Sequence, residues 1–228
     1  MASFTEFQNI LPDPDYGIGT AGQVGNSYGP GFTTVKLSSD RPIMRNRTNS
    51  GRTISRAQMY HKWSIDIAYN ELTKEEFYPV YSFLLEKQGS LKPFFVSLPQ
   101  YRTQVADISV AATISPGSTK ITLVGGTPIV KPGFLFTVDD PLDSTHTKAY
   151  KVVRVENNAD YLVADGRPLI DTQRITVSPN IVNSISSSAD LIFTNPLIQV
   201  IQNTEVQEYS LGSTGLYNFS LKLEEVTY

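Results

Sequence analysis

The densest group of potential ligands in this 228-residue chain is Asp139, Asp140, Asp143 and His146. A hard cation needs several oxygens at fixed spacing, often with a glycine for the sharp turn. No glycine lies between these acids, and the other histidine, His61, is remote in sequence, so the group reads as a polar turn between strands. Gly17-Ile18-Gly19-Thr20-Ala21-Gly22 matches the glycine spacing of a dinucleotide loop. That loop works only between a buried strand and an opening helix. Here Pro12-Asp13-Pro14-Asp15 precedes it and more glycine follows, which describes an irregular arm over residues 12–31. Glu75-Glu76 is a candidate acid/base pair, but adjacent helical residues do not face each other, and both acids suit a helix N-terminus. The chain has no cysteine, which excludes disulfides, thiolate metal sites and cysteine nucleophiles. No Gly-x-Ser-x-Gly, Ser-x-x-Lys or His-Glu-x-x-His motif occurs. The reading is therefore of a non-enzyme with no cofactor and no metal.

A second constellation is electrostatic. Ser38 to Gln58 carries Arg41, Arg45, Arg47, Arg52 and Arg56 against the single acid Asp40. Basic stripes of this kind bind phosphate in nucleic-acid proteins. The formal net charge of −3 supplies no global basic field, and no aromatic residue lies between Arg41 and Arg56. Two readings stay open: an assembly interface that pairs with acidic patches on neighbouring subunits, or a solvated loop.

The elements that would position these residues are mostly strands. Ser38 to Gln58 shows almost no periodicity and is expected to be irregular. After it, Met59, His61, Trp63, Ile65, Ile67 and Tyr69 alternate with polar residues, which predicts a long half-buried strand and a core role for His61 and Trp63. Thr73-Lys74-Glu75-Glu76 fits a capping box, and Phe77, Val80, Tyr81, Leu84 and Leu85 recur at helical spacing. Gln88-Gly89 supplies the stop, with Gly89 suited to the left-handed position. Pro79 conflicts with this helix, since an interior proline costs roughly 3 kcal/mol, so the helix either starts near Pro79 or bends there. Lys92 to Leu98 is a short strand closed by Pro99. From Val105 onward, short strand-like runs alternate with turns, Tyr161 to Val163 among them, which suggests a small all-β barrel or sandwich. Ser184 to Ser188 reads as a linker. Leu191 to Ile201 and Tyr217 to Leu223 read as longer strands.

The order of a long amphipathic strand, a capped helix, Gln88-Gly89 and Lys92-Pro93-Phe94-Phe95-Val96-Ser97-Leu98-Pro99 resembles the minor tail protein M and distal tail protein family of long-tailed phages. The matching residues are Trp63 to Tyr69, Glu76, Phe83-Leu84, Gly89, Pro93-Phe94-Phe95 and Pro99, with Tyr217 to Val226 similar to that family's closing strand. The chain departs from the family in having Leu98-Pro99 for a double proline, and in Thr103 to about Asp190, which has no counterpart in the compact family pattern.

The resemblance implies a mainly β protein. Residues 1–102 and 192–228 would form a tail-tube-like β sandwich or barrel with one flanking α-helix. Residues 103–191 would form an inserted small all-β barrel or sandwich domain. The core of the tube-like domain would include Trp63, Ile65, Ile67, Phe83, Leu84, Phe94, Phe95, Phe219 and Leu221. The implied partners are further copies in a ring, a hexamer by family analogy, together with the tail tube and the hub or baseplate. DNA would pass through the lumen without specific binding, and nothing would insert in a membrane. The implied place is the virion's tail, assembled in the bacterial cytoplasm. Two rivals stand beside this reading. One is a carbohydrate- or receptor-binding tail module acting through the inserted domain, and the other is a wall hydrolase with convergent carboxylates.

Overall fold

The computed structural model describes residues 9–18, 27–57, 60–124, 130–156, 172–204 and 208–226. The chain is mainly β with one α-helix. It divides into two compact units, Met1–Phe95 with Val200–Val226, and Val96–Gln199 with the last two residues.

The first unit starts with two short paired strands, β1 (Gly17–Ile18) and β2 (Ser27–Tyr28). Next come β3 (Phe32–Asp40), β4 (Ile43–Arg47), β5 (Thr53–Ala57) and β6 (Lys62–Tyr69). Helix α1 (Lys74–Lys87) and strand β7 (Phe94–Ser97) follow.

In β6 the alternation read from the sequence is realised residue by residue. His61, Trp63, Ile65, Ile67 and Tyr69 are buried, while Lys62, Ser64, Asp66 and Ala68 are half-exposed. Met59 lies outside the described residues. His61 is a core histidine, with its Nε2 2.8 Å from the Ser39 hydroxyl and its ring edge-on to Trp63 at 4.6 Å.

The capping box of α1 forms, as the Thr73 N–H and hydroxyl both donate to the Glu76 carboxylate at 2.9 and 2.8 Å. The helix therefore starts at Lys74 and carries Pro79 inside it. Packing offsets the proline. Phe77 stacks on Tyr217 with centroids 4.5 Å apart and meets Phe219 edge-on at 5.8 Å, and Phe83 meets Phe94 edge-on at 5.5 Å. At the C-terminus the left-handed conformation begins one residue earlier than the glycine signal implies, since Gln88 has φ 55° and Gly89 follows at φ 65°.

The second unit holds β8 (Ile108–Ser109), β9 (Lys120–Val124), β10 (Leu135–Asp139), β11 (Tyr150–Glu156), β12 (Thr172–Ser178) and β13 (Asp190–Ile192). They hydrogen-bond in the order β8-β13-β10-β11-β12-β9. Val110, just past β8, bridges Leu123 of β9, and the Ala111 N–H donates to Thr122 O at 2.9 Å. The sheet thus closes on itself as an antiparallel barrel. Its interior is filled by side chains, with Ile121, Phe136, Tyr150, Ile175, Leu191 and Phe193 fully enclosed. Tyr161 to Val163 lies outside the described residues.

Three segments differ from the sequence reading. Ser184 to Ser188 is no free linker, because Ile185 is fully buried and bridges Ile114. Leu191 to Ile201 is not one strand, as Thr194-Asn195-Pro196 interrupts it between β13 and β14 (Leu197–Gln202). Part of the supposed arm is docked. Asp13 is fully buried, its carbonyl accepts from the Gly29 N–H at 3.0 Å, and Pro12 O accepts from the Tyr69 hydroxyl at 3.1 Å. Gly29 is required there, since a Cβ would lie 2.5 Å from the backbone of Pro12 and Asp13.

The chain then returns to the first unit through β14, β15 (Tyr209–Leu211) and β16 (Tyr217–Glu225). The sheet order is β3-β6-β16-β14-β7, with β15 paired to β16.

Candidate assembly surface

The sheet β3-β6-β16-β14-β7 has one covered face and one open face. Trp63, Ile65 and Ile67 of β6 and Phe219, Leu221 and Leu223 of β16 are buried on the covered side, to which α1 contributes Phe77, Val80, Phe83 and Leu84. Phe94 is fully buried, while its neighbour Phe95 is half-buried, because consecutive strand residues point to opposite faces.

The open face is polar across β3, β6 and β16, gives way to half-buried Leu197, Ile201 and Phe95 on β14 (Leu197–Gln202) and β7, and has a register that follows from the pairing. Asp66 stands opposite Lys36 on one side and Lys222 on the other, Ser64 stands between Ser38 and Glu224, and Lys62 stands opposite Asp40. Three lysines thus meet three carboxylates on this face. Lys36 lies 3.7 Å from Asp66, and Lys62 pairs with Glu224. The Glu224 hydrogen bond raises the Lys62 pKa, against a smaller opposing effect of burial.

The two edges of this sheet differ. Beyond β7, the segment around Ile10 pairs in parallel, with Leu11 N–H donating to Phe95 O and Phe95 N–H to Asn9 O, both at 2.8 Å. Beyond β3, no described residue pairs. A nine-residue strand whose outer edge has no partner among the described residues is a template for another strand.

At its far end β3 leads through Arg41-Pro42 into the β4–β5 hairpin, which corrects the irregular reading of Ser38 to Gln58. Ile43 pairs with Ala57 and Arg47 with Thr53, and Gly51 at φ 81° makes the turn. Sequence periodicity missed this hairpin because no described residue of it is buried, so neither face is selected to be apolar. Ile43, Met44 and Ile54 are 50%, 63% and 53% exposed. Arg41, Arg45, Arg47, Arg52 and Arg56 are all exposed, and among the described residues none has a carboxylate within ion-pair distance. The structure therefore gathers four of the arginines on one projecting element, with Arg41 just before it, while the core set lies in the sheet and helix that carry it.

The acidic group of the second unit is structural. Burial raises the Asp140 pKa, but bonds from Ser186 N–H (2.7 Å), Leu142 N–H (3.0 Å) and the Ser186 hydroxyl (2.7 Å) bring it net below the usual aspartate value. Asp143 accepts from Thr145 N–H and its hydroxyl. Burial lowers the His146 pKa against the pull of Asp143 and Asp140, and its Nε2 lies 2.8 Å from the Tyr150 hydroxyl. These groups hold turns together, and no cluster with metal-ligand geometry occurs among the described residues. The glycine motif is split, with Gly17-Ile18 forming β1 and residues 19–22 lying outside the described residues.

Residues 11–101 match the sequence family described as distal tail protein pb9, A domain, N-terminal. Across 205 residues the chain is 27% identical to the distal tail protein pb9 of Escherichia phage T5, covering 86% of this chain and 93% of that protein. Both similarities point to the phage distal tail proteins. That similarity supports a structural role in a phage tail. The family match spans the docked N-terminal segment, β3, the hairpin, β6, α1 and β7, while β14 and β16 of the same sheet lie outside it. No described helix is long and apolar enough to cross a membrane.

Proposed function

We propose that this chain is a ring-forming, non-enzymatic subunit that joins the tail tube to the hub or baseplate. The observation that carries the reading is the edge of β3, without a partner among the described residues, next to a charge-balanced stretch of open sheet face. Repetition of the first unit around an axis covers each β3 edge with a neighbour and removes the exposed edge, as closed symmetry does. The ring size we propose is six, by analogy with the tail-tube-like fold. The polar face then lines the lumen. With Lys36, Lys62 and Lys222 set against Asp40, Asp66 and Glu224, it lets DNA pass without a specific site. Arg41 and the four arginines of the hairpin serve assembly rather than DNA contact.

Residues 103–191 act as a domain inserted into the ring domain formed by 1–102 and 192–228, and they face neighbouring tail proteins. A carbohydrate- or receptor-binding role for this insert is the second reading. The filled barrel interior leaves only its outer surface and loops for such a ligand.

Immunogold electron microscopy on intact phage particles, with antibody raised against the full chain, tests the location. Gold confined to the distal end of the tail is the expected result. Gold on fibres would favour receptor binding. Particles without label, and without the chain among their denatured proteins, would overturn the virion-structural reading.

A further inference from the structure

The first unit carries a second exposed surface whose chemistry is complementary to the hairpin. Where α1 meets β15 and β16, the rings of Phe77, Tyr78, Tyr81, Tyr209, Tyr217 and Phe219 form one continuous cluster with centroids 4.5 to 6.2 Å apart. Most such clusters are enclosed, but this one is not. Tyr78 is 48% exposed, Tyr209 51% and Leu211 59%. Tyr209 and Leu211 stand opposite Phe219 and Tyr217 in the β15–β16 register, so all four side chains share one face. Exposed carboxylates adjoin its elements in the chain, Glu71 before Leu72, Glu75 one helical turn before Tyr78, and Glu208 before Tyr209. A cation already sits here, as the Lys74 ammonium lies 5.4 Å from the Tyr78 ring centroid.

The hairpin offers the inverse: four guanidinium groups, with Arg41 just before it, without acidic partners among the described residues, and exposed Ile43, Met44 and Ile54. Guanidinium groups stack on tyrosine faces and pair with carboxylates, and tyrosine and arginine are the residues that most often anchor interfaces. One chain cannot bring its own halves together. The hairpin leaves the sheet at the Asp40–Lys62 end of β6. The tyrosine face lies beyond the other end, where Leu72 bridges Tyr217. β6 alone separates them by about 23 Å, at roughly 3.3 Å per residue.

We infer that the tyrosine face, with Glu71, Glu75 and Glu208 adjoining its elements in the chain, is the docking site for the β4–β5 hairpin of the next copy of this chain. The contact is head-to-tail, so each copy donates a hairpin and receives one, which is the interface type that closes rings. This inference rests on the ring reading above and names the surface that reading leaves open.

Charge swaps in the full chain test it, read by sedimentation velocity with circular dichroism as a check on folding. R45E/R56E on the hairpin and E75R/E208R on the face are each expected to weaken association at least tenfold. Combining all four is expected to restore it to within about threefold of the original chain. A second readout uses the absence of cysteine. Met44→Cys with Tyr209→Cys is expected to give a ladder of disulfide-linked oligomers up to the full ring. An original chain that assembles while E75R/E208R leaves association unchanged, and the cysteine pair gives no ladder, would overturn the inference and spare the ring. An original chain that stays monomeric at every concentration would overturn both.

Discussion

The two sheets of this protein solve the same problem in opposite ways. The six-stranded sheet of the second unit bends until Val110 reaches Leu123, so its end strands meet and its inside is filled by its own side chains. The sheet of the first unit stays open. One edge is covered by its own Asn9–Leu11 segment, the other has no partner along β3 among the described residues, and β3, β6 and β16 present a charged face. A closed barrel satisfies its backbone alone, whereas an open sheet with a bare edge reaches the same end through a neighbour. The difference separates a unit whose sheet meets itself from one that leaves an edge for the proposed ring contact.

Substitutions within the barrel should therefore change stability and leave assembly alone. Phe136, fully enclosed between Tyr150 and Phe193, is the strongest case. Phe136→Ala is expected to destabilise the second unit by about 3–5 kcal/mol in denaturant unfolding, through lost burial and the cavity left behind. The native mass of the folded protein should not change. A lower native mass at a concentration of denaturant where the variant is still folded would break the separation of roles.

Asp140→Asn should cost about 1–3 kcal/mol, because Ser186 and Leu142 lose their anionic acceptor. The pH dependence has a definite sign. A carboxyl whose pKa is lower folded than unfolded adds stability above its unfolded value of about 3.9, and that stability is lost as pH falls through the folded value. Unfolding of the original chain should ease on acidification below about pH 4, and Asp140→Asn should flatten that part of the curve.

In the open unit, Thr73→Ala should remove part of the capping box of α1 and cost about 1 kcal/mol in thermal unfolding. Lys62→Met is the smallest effect. Its pair with Glu224 is partly exposed, which limits the loss to about 0–1 kcal/mol. Here the sign reverses. A raised lysine pKa adds stability below the unfolded value of about 10.4, and the contribution disappears as pH rises through the folded value. Unfolding curves at pH 7 and above pH 11 should converge between the two proteins at the higher pH.

The sequence was legible wherever burial imposes a period. Trp63 to Tyr69 and Phe219 to Leu223 could be read because one face of each strand is enclosed. The capping box could be read because it is local. The hairpin could not, since a strand pair exposed on both faces carries no alternation, and its arginines revealed charge without shape. The ties that convert Ser184 to Ser188 from a linker into a packed segment join Asp140 to Ser186 across the barrel, and no local pattern encodes so distant a partner. Pro12 and Asp13 read as part of an arm because the close approach of Gly29 exists only in three dimensions. The tyrosine face was hidden for the same reason, as Tyr78, Tyr209 and Tyr217 come from three elements.

The central claim is that the open unit assembles through its bare edge and its hairpin. Its most direct test is the native mass of the full chain, measured by sedimentation over rising concentration. A second chain in which a short Gly-Ser turn replaces Ile43–Ala57 serves as the comparison. The account predicts a discrete closed species of six copies for the first. The second should fold equally well, because it loses only exposed residues, and should remain a monomer. A hairpin-deleted chain that assembles as well as the original, or an original chain that never exceeds a monomer, would contradict it.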